Sequence, residues 1–172
     1  SYWRGRNDFV RSLEIYQGLS KDETGQAIWQ YELGNTYIQM GNPEKALQAF
    51  KQTTRIEPGN ANYWINLAKY CGNYKIEVQE TGLPAARQSL LIDQNNWEAN
   101  DTLGWLLLIL EDYTSAERFL MAAYQQVPDS AIVNLHLGQL YYFQNRSQQS
   151  SYFLKRAIEF AEDEALIQLA NK

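Results

Sequence analysis

The sequence predicts an all-α protein built as an array of repeated units, and three observations carry that expectation. Leu103-Gly104 recurs as Leu33-Gly34 and Leu137-Gly138, with Gly104 and Gly138 standing 34 residues apart. From each Gly, steps of three, twelve, sixteen and nineteen residues reach Tyr37, Ala46, Phe50 and Thr53, then Leu107, Ala116, Leu120 and Ala123, then Tyr141, Ser150, Leu154 and Ala157. Twenty-four residues past the Gly stand Pro58 and Pro128, with Glu162 in the last copy. A fixed period of this length marks supersecondary units that bury their apolar faces against one another.

This skeleton resembles the tetratricopeptide repeat, or TPR, family, whose unit is a pair of antiparallel helices. The resemblance implies a right-handed α-solenoid in one domain: about four full repeats, an N-terminal half repeat and a C-terminal capping helix. The units fall at 1–26 (partial), 27–60, 61–96, 97–130 and 131–164, and 165–172 begins the cap. Gly34 and Gly104 lie 70 residues apart, two periods plus two, so the 61–96 unit holds a small insertion. That unit keeps Trp64, Leu67 and Ala68 but puts Gln94 where its sisters have an exit proline.

In chain order, Phe9, Leu13, Tyr16 and Leu19 recur at helical spacing and, with Asn7-Asp8 and Ser12, fit the second half of a unit. Ser1 falls inside what reads as a first helix, which points to a chain that once continued upstream. Lys21 to Gly25 is a polar turn before a helix from about Gln26 to Gln39. Gly41-Asn42-Pro43 breaks the chain and places Pro43 at the first position of the next helix, which Glu57-Pro58-Gly59-Asn60 ends near Ile56. The third helix pair is regular, near Trp97 to Leu110 and Tyr113 to Gln126. The fourth runs from Ala131 to Phe143, capped by Asp129-Ser130, and from Ser147 to Phe160. Leu166, Ile167 and Leu169 begin the terminal helix.

The 61–96 unit is the irregular one. Its first helix starts near Ala61, Thr81-Gly82-Leu83-Pro84 interrupts the chain, and Pro84 restricts the second helix to about Leu83 to Ile92. Gly82 falls on the small-residue position, and the insertion lies at the hairpin edge, either as a local contact or, since loops lengthen at little cost, as slack. Each glycine inside a helix costs roughly 1 kcal/mol relative to alanine. Small residues opposite, Ala46, Ala116 and Ser150, would let the backbones approach closely and offset that cost.

Composition bounds the function. A 172-residue chain with 45% hydrophobic residues is long enough for one core. The longest apolar run, Trp105 to Leu110, is too short to span a bilayer, so no membrane insertion is predicted, and no signal segment opens the chain. A formal net charge of −5 argues against a nucleic-acid partner. Arg4, Arg6 and Arg11 read as a solvated helix edge. One cysteine excludes an internal disulfide framework, and Cys71, standing where sister units have Tyr37 and Tyr141, reads as a small buried residue. Nothing in the sequence assigns a compartment.

Catalytic chemistry finds no anchor. His136 is the only histidine and lies mid-helix between two leucines, a structural placement. No metal-ligand spacing, phosphate-cradling loop or nucleophile elbow is present, so neither metal, cofactor nor catalytic residue is predicted. The acidic pairs Glu98/Asp101 and Glu111/Asp112 read as solvated, and the sequons at Asn100 and Asn145 as chance matches.

The resemblance further implies a concave face lined by the first helix of each pair. Carried onto this chain, that face comprises Ile28, Tyr31, Asn35 and Ile38; Asn62, Ile65, Asn66 and Lys69; Glu98, Asp101, Trp105 and Leu108; and Ile132, Leu135, Gln139 and Tyr142. Tyr31, Trp105 and Tyr142 are candidate anchors for a peptide, and Asn35, Asn66 and Gln139 candidate partners for its backbone. TPR cochaperones that grip acidic C-termini use two asparagines and three basic residues on this face. Asn35 and Asn66 match, but Tyr31, Glu98 and Thr102 hold the basic places, so a carboxylate ligand lacks its cations. The expectation is a non-catalytic module that takes a protein or peptide segment in this groove. The alternatives are a structural scaffold that self-associates through its apolar ends as a homo-oligomer, and an accessory region of a larger enzyme such as a transferase.

Overall fold

The computed structural model describes residues 9–19, 26–161, 167, 168 and 170. Asn7-Asp8, Arg4, Arg6, the turn at 21–25, and Leu166 and Leu169 of the expected cap lie outside the described residues. Among those described, the elements are helical: α1 (Phe9–Leu19), α2 (Gln26–Gln39), α3 (Pro43–Ile56), α4 (Ala61–Tyr74), α5 (Leu83–Ile92), α6 (Trp97–Ile109), α7 (Tyr113–Gln126), α8 (Ala131–Phe143) and α9 (Ser147–Glu159). A five-residue π-helical turn, Val78–Gly82, leads into α5.

Local chemistry sets these boundaries. Asn42, Asn60, Asn96 and Asp112 each accept a hydrogen bond from a backbone N–H of the first turn of α3, α4, α6 and α7, at 3.0 to 3.2 Å. Ser130 occupies the same place before α8, but its side chain makes no capping bond. Asn134 ties the turn in a different way, its Nδ2 donating to Pro128 O and Ser130 O at 2.8 Å each. Within each pair the first helix is followed by a left-handed residue, Gly41, Lys75, Glu111 or Asn145, with φ of 53° to 68°. Links this short fold the second helix back along the first.

The two extra residues of the irregular unit can be located. The regular turns go from the left-handed residue through one cap residue into the helix. After Lys75 the chain instead spends two residues, Ile76 and Glu77, the latter also left-handed at φ 45°. The second extra residue is absorbed by the wider π register, in which Gly82 N donates to Glu77 O at 3.0 Å and Leu83 N to Val78 O. The expectation of an interruption before Pro84 is therefore corrected. The backbone is already helical at Gly82 (φ −62°, ψ −52°), and Pro84 sits just inside the start of α5, where its missing N–H is tolerated. Glu77 fastens this segment, accepting from Lys51 Nζ of α3 and Thr81 Oγ1, each at 2.5 Å.

One core cluster runs from Ala46 and Phe50 of α3 through Leu67, Ala68 and Cys71 of α4, Leu103 to Leu108 of α6 and Leu120 of α7, to Val133, Leu137 and Tyr141 of α8. Smaller clusters gather Tyr16, Leu33 and Ala49 near one end and Leu135, Ala157 and Ala170 near the other. Cys71 is fully buried, and burial pushes its thiol up to about 12, away from reactivity. No described helix is long and apolar enough to cross a membrane.

Candidate ligand-binding face

Four stripe positions recur on α2, α4, α6 and α8, and the structure treats them differently. The outermost holds Ile28, Asn62, Glu98 and Ile132; Ile28 and Asn62 are exposed, and the other two half-buried. The third holds Asn35, Lys69, Trp105 and Gln139, all half-buried. Asn66, one residue inward of the stripe, is half-buried as well. The fourth is mixed: Ile38 is half-buried, Gly72 and Leu108 are buried, and Tyr142 is 68% exposed.

The second position is closed. Tyr31 keeps some accessibility with its ring near Phe50 and Tyr63, at 5.7 and 6.1 Å between centroids. Its counterparts Ile65, Asp101 and Leu135 are only 1%, 2% and 2% exposed. These three, with Leu108, present no surface to a ligand, so the sequence-derived groove is narrower than expected. Helix spacing places the residues on one face, but α4 packs on α6 and α6 on α8, and the middle of the stripe is consumed by that packing. Leu135 is instead covered from the C-terminal side, in the cluster of Ala157 and Ala170.

Asp101 is buried with a partner. Its Oδ1 lies 2.8 Å from Nδ1 of His136 on the neighbouring first helix, and both side chains are under a tenth exposed. A polar group without a partner here would be strongly unfavourable, so the pair fixes α6 against α8. The structural placement expected of His136 is what its burial shows. The pair has one legible trace: an acidic residue stands where the sister repeats carry Tyr31, Ile65 and Leu135.

Trp105 is a packing residue as much as a surface one. Its indole stacks on His136 at 5.4 Å between centroids and 11° between planes. On α4, a methyl carbon placed on Gly72 would lie 2.5 Å from Trp105 Cζ3, so only glycine leaves room for the ring. Lys69, beside this site, is ion-paired with Glu98 across the α4–α6 seam. Both partners are more than a third exposed, so the pair adds little to stability, but it neutralises the lysine on this face. Thr102, one of the places a carboxylate-gripping groove needs a cation, is buried. Asn100 is also buried, its Nδ2 donating to Asn96 O at 2.9 Å, which leaves that sequon inaccessible in the folded chain.

At the far end of the stripe, Tyr142 lies against Phe143 edge to face at 5.6 Å, and Phe143 stacks on Tyr113 at 6.3 Å. Just inward of them Glu117 of α7 accepts from Tyr141 Oη at 2.9 Å and from Arg146 Nη1 at 2.9 and 3.1 Å. Burial works to raise the Glu117 carboxyl, but donations from Tyr141, Arg146 and Gln144 outweigh it and hold the group below its ordinary range. Burial and the Glu117 contact push the Tyr141 hydroxyl up to about 12. Among the described residues no three His, Cys, Asp or Glu side chains gather as a metal site.

A tetratricopeptide-repeat family model matches residues 4–70, and the solved structures similar to the chain extend that likeness over nearly all of it. The chain has the tetratricopeptide-repeat fold. MamA matches at a TM-score of 0.74 and 18% identity, covering 95% of each chain. YrrB, described as a TPR protein with an unusual peptide-binding site, matches at 0.70 and 21%, covering 99% of this chain and 87% of its own. A tetratricopeptide repeat protein from Parabacteroides merdae matches at 0.78 and 18%, covering 98% and 66%. The likeness in fold therefore extends beyond the matched segment.

Proposed function

We propose that the chain is a non-catalytic interaction module that holds a protein or peptide segment along the face of its first helices. The observation that carries this reading is the exposure of Tyr142, 68% accessible at the end of a stripe whose third position stays partly open in all four repeats. An exposed aromatic of this kind supplies contact area at little cost in ordering. Asn35, Asn62, Asn66 and Gln139 would bond the segment's backbone, and the ligand would be apolar-rich, because Lys69 is already held by Glu98. The similarity in fold to YrrB, a peptide-binding TPR protein by its description, supports the reading.

The test is capture of a partner with the full chain, mapping of the bound segment, and calorimetric titration into wild type, Tyr142→Ala and Gln139→Ala. We expect affinity to fall about tenfold or more for Tyr142→Ala while the thermal melt is unchanged. Equal affinity in the three proteins would remove the site.

A further inference from the structure

A second groove, made by second helices rather than first, is unlike its sisters. It lies between α5 and α7, encloses about 480 Å3, and is floored by Leu103 and Leu107 of α6. Its walls are Leu90 and Leu91 on one side and Phe119 on the other, with Arg87 and Arg118 at the rim. Leu91 is 72% exposed. At the matching position the other three repeats carry Arg55, Gln125 and Glu159, all exposed, so this is a solvent position where only one unit places leucine. The neighbouring groove between α3 and α5 is also largely apolar, with Trp64, Leu67, Pro84 and Ala85, but there Glu80 shares the lining with Lys51 and Arg55, whereas no carboxylate lines the α5–α7 groove.

Charge selects the occupant. Arg87 and Arg118 are exposed and neither makes an ion pair among the described residues, in a chain whose net charge is −5. Arg118 is held with its guanidinium 4.4 Å from the centroid of the Phe119 ring, on the apolar wall. Asp112, whose carboxyl is lowered chiefly by its hydrogen bonds with Ser115, is engaged in capping α7 through Ser115 N at 3.1 Å. We propose that this groove docks a protein segment whose leucine- or phenylalanine-type side chains enter between α5 and α7 while flanking aspartates or glutamates pair with Arg87 and Arg118. The volume suits a few apolar side chains, and the two cations fix orientation and reject basic segments. This site is separate from the first-helix face and goes beyond it.

The experiment selects short random peptides, displayed on phage, against the full chain, then titrates the winners into variants. We expect winners that combine Leu or Phe with Asp or Glu. They should lose at least about tenfold in affinity for Leu91→Arg and for Arg87→Glu/Arg118→Glu, keep it for Tyr142→Ala, and weaken with added salt. Leu91→Arg reproduces what Arg55 does in the preceding unit, so its melt should match wild type; Leu91→Gln, reproducing Gln125, is the second check. Winners that depend on Tyr142 report the first-helix face; Tyr142-independent winners that bind both Leu91 variants as wild type, or the absence of any Tyr142-independent winner, would overturn the proposal. So would a dimer in light scattering that Leu91→Arg abolishes, since the groove would then belong to a second copy.

Discussion

In the α6–α7 hairpin Gly104 leaves room for Leu120, whereas at the matching places of the α4–α5 hairpin stand Ala68 and Ala86, both fully buried. A methyl carbon on Gly104 would lie 2.7 Å from Leu120 Cγ. The same exclusion holds Phe50 against Gly34 at 2.7 Å and Leu154 against Gly138 at 2.6 Å. So the residue that needs the glycine is the large one sixteen positions on, not the small Ala46, Ala116 or Ser150 expected to face it. Ser150 does lie close, its Oγ donating to Gly138 O at 2.9 Å, but the volume is taken by Leu154. In the irregular unit the glycine has moved to the other helix: a methyl carbon on Gly82 would meet Cys71 Cβ at 2.8 Å. What is constant between the two hairpins is filled volume at the crossing, as close packing requires.

The sharpest way to break this comparison is Leu120→Ala. Leu120 has no exposed surface, and emptying the space that Gly104 reserves for it should cost about 4 kcal/mol in urea-induced unfolding. A loss under about 1 kcal/mol would mean that the crossing collapses around the void and that filled volume is not the constant. Gly104→Val comes next, at about 3 kcal/mol. Here the obstacle includes Leu120 N at 2.9 Å, a backbone atom that cannot swing away as a side-chain tip can. At Gly72, by contrast, the obstacles are side-chain atoms of Trp105 and Leu106.

The comparison becomes quantitative if the alanine pair is transplanted. Gly104→Ala/Leu120→Ala installs in α6–α7 the residues that serve α4–α5. The double variant should be more stable than the sum of the single losses predicts, by about 1 to 2 kcal/mol in a denaturant double-mutant cycle. Strict additivity would show that the two positions do not share one volume.

The regular hairpins were legible in the sequence because each depends on residues a fixed number of steps apart on neighbouring helices. Glycine and the large residue sixteen on carry that information locally. The α4–α5 detour was legible only as a count of two extra residues. Dividing them between Ile76-Glu77 and a π turn depends on how Glu77 ties back to Lys51, across 26 residues. On the face, the family resemblance implies the stripe but not its closed middle. Whether Asp101 points to solvent or to His136 is decided by a helix 35 residues away. Trp105 was read as a surface anchor for the same reason, since the vacancy it fills is made by Gly72 on another unit.

The smallest effect compares two carboxylates that fasten the two kinds of hairpin. Glu117 ties α7 to the α8–α9 turn through Tyr141 and Arg146, while Glu77 ties the inserted turn to α3 through Lys51 and Thr81. Both carboxyls lie below their ordinary value, Glu77 chiefly through the Lys51 and Thr81 hydrogen bonds. A group whose folded value is lowered stabilises the fold above its unfolded value, near 4.5 for glutamate, and that contribution disappears as pH falls through the folded value. Glu117→Gln should therefore cost about 1 kcal/mol at pH 7 and progressively less below about pH 4.5, read as the gap between wild-type and variant urea midpoints across pH. Glu77→Gln should show the same sign with a smaller gap, because its side chain is 43% exposed and solvent screens the Lys51 contact, and added salt should shrink it further. A Glu117 gap that widens in acid would reverse the assignment and make the carboxyl a burden on the turn it closes.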